Sequence, residues 1–436
     1  MKSSAMRDLM AITERPEVIS LAGGLPDTST FPAESFASIM AKVAVDSCAA
    51  ALQYGPTEGL GITKDAIRHV MAAEGADVDP EDILVTTGGQ QVIDLVCKTL
   101  LDPGDVVVAE APTYPGAIPA FCSYQADVVQ IEMDADGMPI DVLEETLDRL
   151  EREGRRPKFI YTIPNFQNPG GVTMSLPRRK RLVEVAAERE ILVLEDNPYG
   201  LLRYEGEPLP TLLSLARGDY IIYLGTFSKI LSAGLRLGWA VAPAPVLQKM
   251  NMGKQGTDLC TSSLTQHFVS AYFAEGRWEP YLESLKGLYQ GRRDTLLGAL
   301  AEDFPAEATW TQPQGGLFVW ATLPEALDTT DLLARALQRN VAFVPGRGAY
   351  LDGRGGSSMR LNFSGVSDTD IREGVRRIGE VIGEQLELFG ALTGQRPAAP
   401  APATAAPAGD QALADVLELP RGKRPGGERR ADRSKP

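Results

Sequence analysis

The sequence predicts an α/β protein whose sheet is covered on both faces, and three observations carry that expectation. From Asp82 onward, short runs rich in β-branched and aromatic residues alternate with amphipathic stretches at helical spacing. The run Leu192, Val193, Leu194 is apolar without alternation, as a strand buried on both faces requires. At 436 residues the chain is long enough for two domains and appendages.

In chain order, Ser4 to Thr13 has a short helical pattern with Met6, Leu9, Met10 and Ile12 as its apolar positions. VISLAGGLPD follows, a short strand running into a Gly23-Gly24 turn. Paired glycines let backbone approach a ligand closely, and they are equally common in plain turns. Phe36 to Ala51 reads as one helix, and LQYGPTEGL puts Tyr54 on a Gly/Pro-rich loop. ILVTTGGQQVIDLV gives a strand over Ile83 to Thr86, a Gly88-Gly89 turn and a helix from Gln90. Such a unit leaves free N–H groups at a helix N-terminus, a ready anion site, although it also describes many turns without a ligand. DVVVAEAPTYPG is a second strand, with Pro112, Thr113 and Tyr114 on the loop after it. KFIYTIPNFQNPGG is a third, followed by Asn165 and Asn168. ILVLEDNPYG is a fourth, closing on Glu195, Asp196 and Tyr199. Val246 to Gly256 begins a long helix that CTSSLTQHF continues, and Tyr281 to Asp303 forms another. ATW, GGLFVWATL, VAFVPG and SMRLNFSG read as strands of a smaller domain, with Trp310, Phe318 and Trp320 in its core. After Arg396 the Ala/Pro repeats are too poor in bulky residues to fold, and a mixed basic tail ends the chain.

Composition narrows the functional classes. The formal charge of −15 argues against nucleic acid or anionic membrane as the main partner. No apolar run reaches membrane-span length, and MKSSAMRDLM lacks the apolar core of a signal peptide. Cys48, Cys97, Cys122 and Cys260 lie far apart without CxxC spacing, the pattern of reduced cytoplasmic thiols. With only His69 and His267, no metal site is expected.

The chemistry concentrates in YIIYLGTFSKILSAGLRLGW, residues 220–239. A buried strand ends at Gly225, and Thr226, Ser228 and Lys229 follow on a loop. Arg236 comes seven residues after Lys229, in a turn bounded by Gly234 and Gly238. Hydroxyls, backbone donors and a guanidinium at one strand end suit a phosphate. A Lys among them is either a point charge or a desolvated amine that can condense with a carbonyl cofactor; it also fits a surface lysine after a strand. Asp196 at the end of a doubly covered strand is costly to bury unpaired, and a protonated pyridine nitrogen is a fitting partner. An Asp capping the next turn is the alternative.

The ordered set GGQQ, PTY, NPGG, EDNPY and TFSK with Arg236 resembles the fold type I, class I/II aminotransferases. SLAGGLP, LQYGPTEG, IPNFQNP, PQGGLFVW, VAFVPG and MRLNFS are similar to the branch holding 2-aminoadipate and aromatic aminotransferases. The likeness spans roughly residues 4 to 390. It implies a mostly parallel seven-stranded sheet in a large domain, residues 31–280. An N-terminal arm (1–30), a small α/β domain (281–395) and a disordered tail (396–436) complete the expected organisation. It implies pyridoxal 5′-phosphate as cofactor, held by Lys229, which also shuttles the Cα proton. Asp196 is then the partner of the ring nitrogen, Tyr199 and Asn168 of the ring oxygen, and Tyr114 of the ring face. Gly89, Gln90, Thr226, Ser228 and Arg236 would cradle the phosphate, with Tyr54 reaching in from the other subunit of a homodimer. Arg360 and Asn168 would take the substrate α-carboxylate under backbone at Gly24. Four positions depart from the pattern: Gly89 and Thr226 where Ser is usual, Asn197 for Asp, and Gly170 for Thr.

The resemblance thus implies a cytoplasmic enzyme that moves an amino group from an L-amino acid to a 2-oxo acid such as 2-oxoglutarate by a ping-pong mechanism. C–S lyase or decarboxylase chemistry in the same pocket is the alternative, because the cofactor supplies the electronic driving force. A regulator with an aminotransferase-like sensor domain would need a basic DNA-binding domain ahead of a pattern that starts almost at Met1. In this branch a short N-terminal helix carries an Arg that meets a distal carboxylate, and Arg7 falls at that place; Arg7 as a solvated helix residue is the other reading. The first reading implies both acidic donors (2-aminoadipate, glutamate) and leucine-like or aromatic ones.

Overall fold

The computed structural model describes residues 15–216 and 220–394. Arg7, the helical pattern of Ser4 to Thr13 and the tail after Arg396 lie outside the described residues. The largest sheet has seven strands in the order β2-β8-β7-β6-β5-β3-β4. These are β2 (Ile83–Thr86), β3 (Val106–Ala111), β4 (Asp127–Glu132), β5 (Pro157–Thr162), β6 (Leu192–Asp196), β7 (Ile221–Thr226) and β8 (Gly238–Val241). All run parallel except β8, which pairs antiparallel with both β2 and β7. Every residue of β2, β3, β7 and β8 is buried, so these strands need apolar side chains on both faces rather than alternation.

Because six strands are parallel, their C-terminal ends share one edge. The loops after β2, β3, β5, β6 and β7 therefore emerge together, the usual place for a ligand in an open α/β sheet. Helices cover both faces and bury apolar stripes at helical spacing; Ile140, Leu143, Leu147 and Leu150 of the helix Ile140–Arg152 are an example.

A second, antiparallel sheet has the order β12-β13-β10-β9, from β9 (Thr309–Trp310), β10 (Phe318–Thr322), β12 (Val344–Pro345) and β13 (Ser358–Asn362). Beside it, β1 (Ile19–Ser20) pairs parallel with β11 (Val341–Ala342). That pairing steers the N-terminal segment across the small sheet: Leu21 N–H donates to Ala342 O at 2.8 Å, and Asn362 N–H to Leu21 O at 2.8 Å. Asp27 then meets Arg292 of the long helix Trp278–Asp303 at 2.8 Å, and its N–H donates to the Tyr289 hydroxyl at 2.9 Å. Gly23 and Gly24 are held between these two anchors.

Two helices differ from the sequence expectation. Phe36 to Ala51 is not continuous: the helix Ala33–Asp46 stops at Ser47, whose φ/ψ of −135°/14° leaves the helical region, and Cys48–Ala51 resumes as a single turn. Likewise the helix Ala244–Gln255 ends at Gly256, and a new one, Ser263–Ala274, begins where Ser262 Oγ accepts from Thr265 N–H at 3.3 Å. A helix-breaking glycine and an N-capping serine are the local signals that the apolar pattern overrode. Among the described residues, no helix is long and apolar enough to cross a membrane.

Candidate active site

The loop after β7 carries Thr226, Ser228 and Lys229. Thr226 Oγ1 donates to Leu237 O at 3.1 Å and lies 2.9 Å from Ser228 Oγ, while Ser228 N–H returns a bond to Thr226 Oγ1 at 3.1 Å. The two hydroxyls are thereby preset side by side. Opposite them, Gly88 precedes the helix Gly89–Leu100, and its φ of +78° is one that side chains other than glycine's resist. A Cβ on Gly88 would stand 2.6 Å from Arg236 Nη2, so the guanidinium lies directly over this turn. The two halves meet because Gly238 has no side chain: a Cβ there would sit 2.7 Å from Gly88 C and 2.8 Å from Gly89 N. Free helix N–H groups, two hydroxyls and one guanidinium form a cup suited to a phosphate dianion. Gln90 is exposed at its rim, and its amide donates to Gly116 O at 2.8 Å on the Tyr114 loop.

Lys229 is half-buried, and its Nζ donates to Gly24 O at 2.6 Å. Burial, and then the Arg360 and Arg236 guanidiniums, push its ammonium down to about 8, against the pull of Asp196. An amine in that range is available as a nucleophile and base near neutral pH. Asp196, 4% exposed, closes β6 and accepts from the Tyr161 hydroxyl at 2.7 Å. Burial pushes its carboxyl up to about 7, opposed by Tyr161 and by Lys229. A positive group facing Asp196 would restore its ionisation.

Arg360 on β13 brings the small sheet to the same place. Its Nη1 donates to Asn168 Oδ1 at 2.9 Å and its Nη2 to Ala22 O at 2.8 Å, while its face lies 4.5 Å from the centroid of Phe318. Its buried Nε has no hydrogen-bond partner among the described residues. Burial pulls the guanidinium down to about 10, so an anion placed there recovers the lost solvation. Asn168 Nδ2 donates to the Tyr199 hydroxyl at 3.4 Å, and Tyr199 meets Phe318 edge-on at 5.8 Å. The Tyr114 hydroxyl is pushed up by burial and then by the nearby Asp196 charge.

Of the residues expected here, Gly24, Gly89, Gln90, Tyr114, Asn168, Asp196, Tyr199, Thr226, Ser228, Lys229, Arg236 and Arg360 gather around one cleft. Tyr54 is not part of it within one chain, being 76% exposed on its loop. Arg7 lies outside the described residues. Two site residues escaped the sequence reading. Phe318 is core, as expected of it, and also the platform under Arg360. Tyr161 reads as one more apolar strand residue, yet the parallel register Tyr161↔Leu194 puts it on the same sheet face as Asp196. The unusual positions have local partners. A Cβ on Gly89 would come 2.9 Å from Leu224 Cδ2, and one on Gly170 would come 2.9 Å from Gln167 Oε1. Asn197 donates to Glu74 Oε1 at 3.0 Å and accepts from Asn165 Nδ2 at 2.9 Å.

Comparison with known proteins agrees with this geometry. The family model for aminotransferase class I and II matches residues 16–378. The chain is 44% identical to aromatic-amino-acid aminotransferase 1 of Thermococcus litoralis over 388 residues, 89% of this chain and 93% of the relative. Among solved structures it is similar to the Pyrococcus horikoshii kynurenine aminotransferase in complex with PMP, with 42% identity, a TM-score of 0.85, and coverage of 88% of this chain and 96% of the other. It is also similar to the α-aminoadipate aminotransferase of Thermus thermophilus complexed with N-(5′-phosphopyridoxyl)-L-leucine, with 40% identity, a TM-score of 0.82, and coverage of 89% and 96%. The phosphate cup, the Asp196 carboxylate and the depressed lysine fit the phosphate, ring nitrogen and aldehyde of pyridoxal phosphate. A cleft of this construction, matched over nearly nine-tenths of the chain, makes it a pyridoxal-phosphate-dependent enzyme of the class I and II aminotransferases.

Proposed function

We propose that the enzyme transfers the amino group of aromatic, leucine-like and 2-aminoadipate or glutamate donors to 2-oxoglutarate by a ping-pong mechanism. The observation that carries this reading is the convergence of Lys229, Asp196 and Arg360 from three separate elements on one cleft. The names of the relatives support the donor classes. Bound pyridoxal phosphate supplies an aldehyde for the amino group and an electron-poor ring that stabilises charge at the substrate Cα. The chain's residues do the rest. Lys229 Nζ would hold the cofactor and, once displaced, take the proton from the substrate Cα, a task its depressed basicity suits. Asp196 would pair with the ring nitrogen and keep it protonated, Tyr199 and Asn168 would take the ring oxygen, and Tyr114 would lie against the ring. Gly89 and Gln90 N–H groups, Thr226, Ser228 and Arg236 bind the phosphate. Arg360 offers its free Nε–H with a second N–H to the α-carboxylate, beside Asn168 and under Gly24.

We also propose a homodimer in which Tyr54 reaches the partner's phosphate cup. Apolar surface left uncovered on Leu52, Tyr54 and Leu264 supports it, on segments that touch where Gly55 lies against Ser263. The division into an arm, a large domain over 31–280 and a small domain over 281–395 belongs to the same reading. So does a cytoplasmic setting, supported by four cysteines that form no disulfide. The test is a panel of amino donors with 2-oxoglutarate, run on wild type and Arg7→Ala. The expected result is turnover of phenylalanine, leucine and 2-aminoadipate, with the variant losing about ten- to a hundredfold in kcat/KM on 2-aminoadipate alone. Equal loss on all donors, or none, removes Arg7 from side-chain recognition; a panel without aromatic or acidic turnover refutes the donor classes.

A further inference from the structure

Tyr161 is fully buried on β5, and its ring is fixed edge-on against Phe121 at 5.4 Å and 76°. Its hydroxyl donates to Asp196 Oδ2 at 2.7 Å, and among the described residues nothing donates to Oδ1. Burial drives the Asp196 carboxyl toward its neutral form, and the two groups that oppose this are the Tyr161 hydroxyl and the Lys229 ammonium. Lys229 is the amine that the reaction employs, so its charge is not a standing support for Asp196. Tyr161 is: burial and the neighbouring Asp196 hold its hydroxyl well above the usual range, so it remains a donor at every working pH. A second cation there would compete with the ring nitrogen for the carboxylate. A neutral hydroxyl holds the carboxylate without neutralising it.

We propose that Tyr161 is a positioning residue that locks Oδ2 of Asp196, fixes the plane of the carboxylate and presents Oδ1 to the ring nitrogen of the cofactor. This rests on the assignment of Asp196 to that nitrogen. Tyr161 never touches the cofactor; it acts through Asp196. Its loss would leave the carboxylate free to rotate and to take up a proton, weakening the contact that keeps the ring an electron sink.

The experiment is equilibrium binding to the full chain stripped of cofactor, with two ligands: pyridoxal 5′-phosphate and its 1-deaza analogue, in which carbon replaces the ring nitrogen. Tyr161→Phe keeps the ring that packs on Phe121 and removes only the donor. It should weaken pyridoxal phosphate binding about ten- to a hundredfold, and leave binding of the analogue unchanged. Site-specific 3-fluorotyrosine at position 161, a stronger donor in the same volume, should move pyridoxal phosphate affinity the other way. Equal losses on both ligands, or no loss on either, would overturn the proposal, as would a fluorotyrosine protein that binds no more tightly. If wild type binds both ligands equally well, the pairing of Asp196 with the ring nitrogen fails instead, a separate result.

Discussion

Arg360→Lys tests the carboxylate site at the level of single hydrogen bonds. The substitution keeps the positive charge that depresses Lys229 and removes the planar fork. In wild type the guanidinium is fixed by Asn168 Oδ1 at 2.9 Å, by Ala22 O at 2.8 Å and by Phe318 beneath it, leaving Nε–H free to act as half of a bidentate contact. A single ammonium can replace one or two of the fixed bonds but cannot also present two parallel N–H groups. The loss is one charge-assisted hydrogen bond and part of the stacking, about 2–4 kcal/mol together. That predicts a fall in kcat/KM for an amino acid of about thirty- to a thousandfold. The assay compares phenylalanine with phenethylamine, the same donor without the carboxylate. Wild type should strongly prefer the amino acid, and Arg360→Lys should lose most of that preference while its slow turnover of the amine is little changed. If both substrates decline together, or the preference survives intact, Arg360 does not read the carboxylate and the site has been misassigned.

Two further outcomes follow from the same geometry. Lys229 is depressed from 10.5 to about 8, chiefly by burial and then by Arg360 and Arg236, so capture of an aldehyde by the cofactor-free protein should speed up as pH rises and level off above about 8. Arg360→Gln should move that midpoint upward, Lys229→Ala should abolish capture, and a wild-type midpoint near 10 would contradict the electrostatic reading. Gly88→Ala should cost about 1–3 kcal/mol because its backbone, at φ 78° and ψ 168°, lies in a region that essentially only glycine adopts, and should also displace Arg236, weakening cofactor binding; Gly104→Ala, at φ +88° with nothing within 4 Å of its Cβ, should cost stability alone.

How much of this was legible depended on whether a residue's role is local. Asp196 closes a strand and Lys229, Asn168 and Tyr114 each follow one, so strand ends and turn residues predicted their positions, and the parallel order of the sheet then brought them together. The large and small sheets were legible for the same reason, since β-branched runs between glycines and prolines mark strands wherever they pair. Tyr161 was not legible, because its role depends on the register of β5 against β6, which a single strand does not encode. Phe318 was half legible: its apolar character announced the core, but only the antiparallel register of β10 against β13, with Trp320 opposite Arg360, sets it beside Arg360. The interrupted helices failed where one apolar stripe continues across a break, as at Gly256 to Ser262. Periodicity reports a face, and chain direction can change without altering it.

The central claim is transamination with the amino group retained on the enzyme between two half-reactions. The direct measurement is the stoichiometry of oxo-acid release when wild type is mixed with excess phenylalanine and no acceptor. The account predicts a burst of about one oxo acid per subunit, then arrest, with release resuming and glutamate appearing once 2-oxoglutarate is added. Steady release of oxo acid or ammonia without any acceptor would contradict it and place lyase chemistry in this cleft instead.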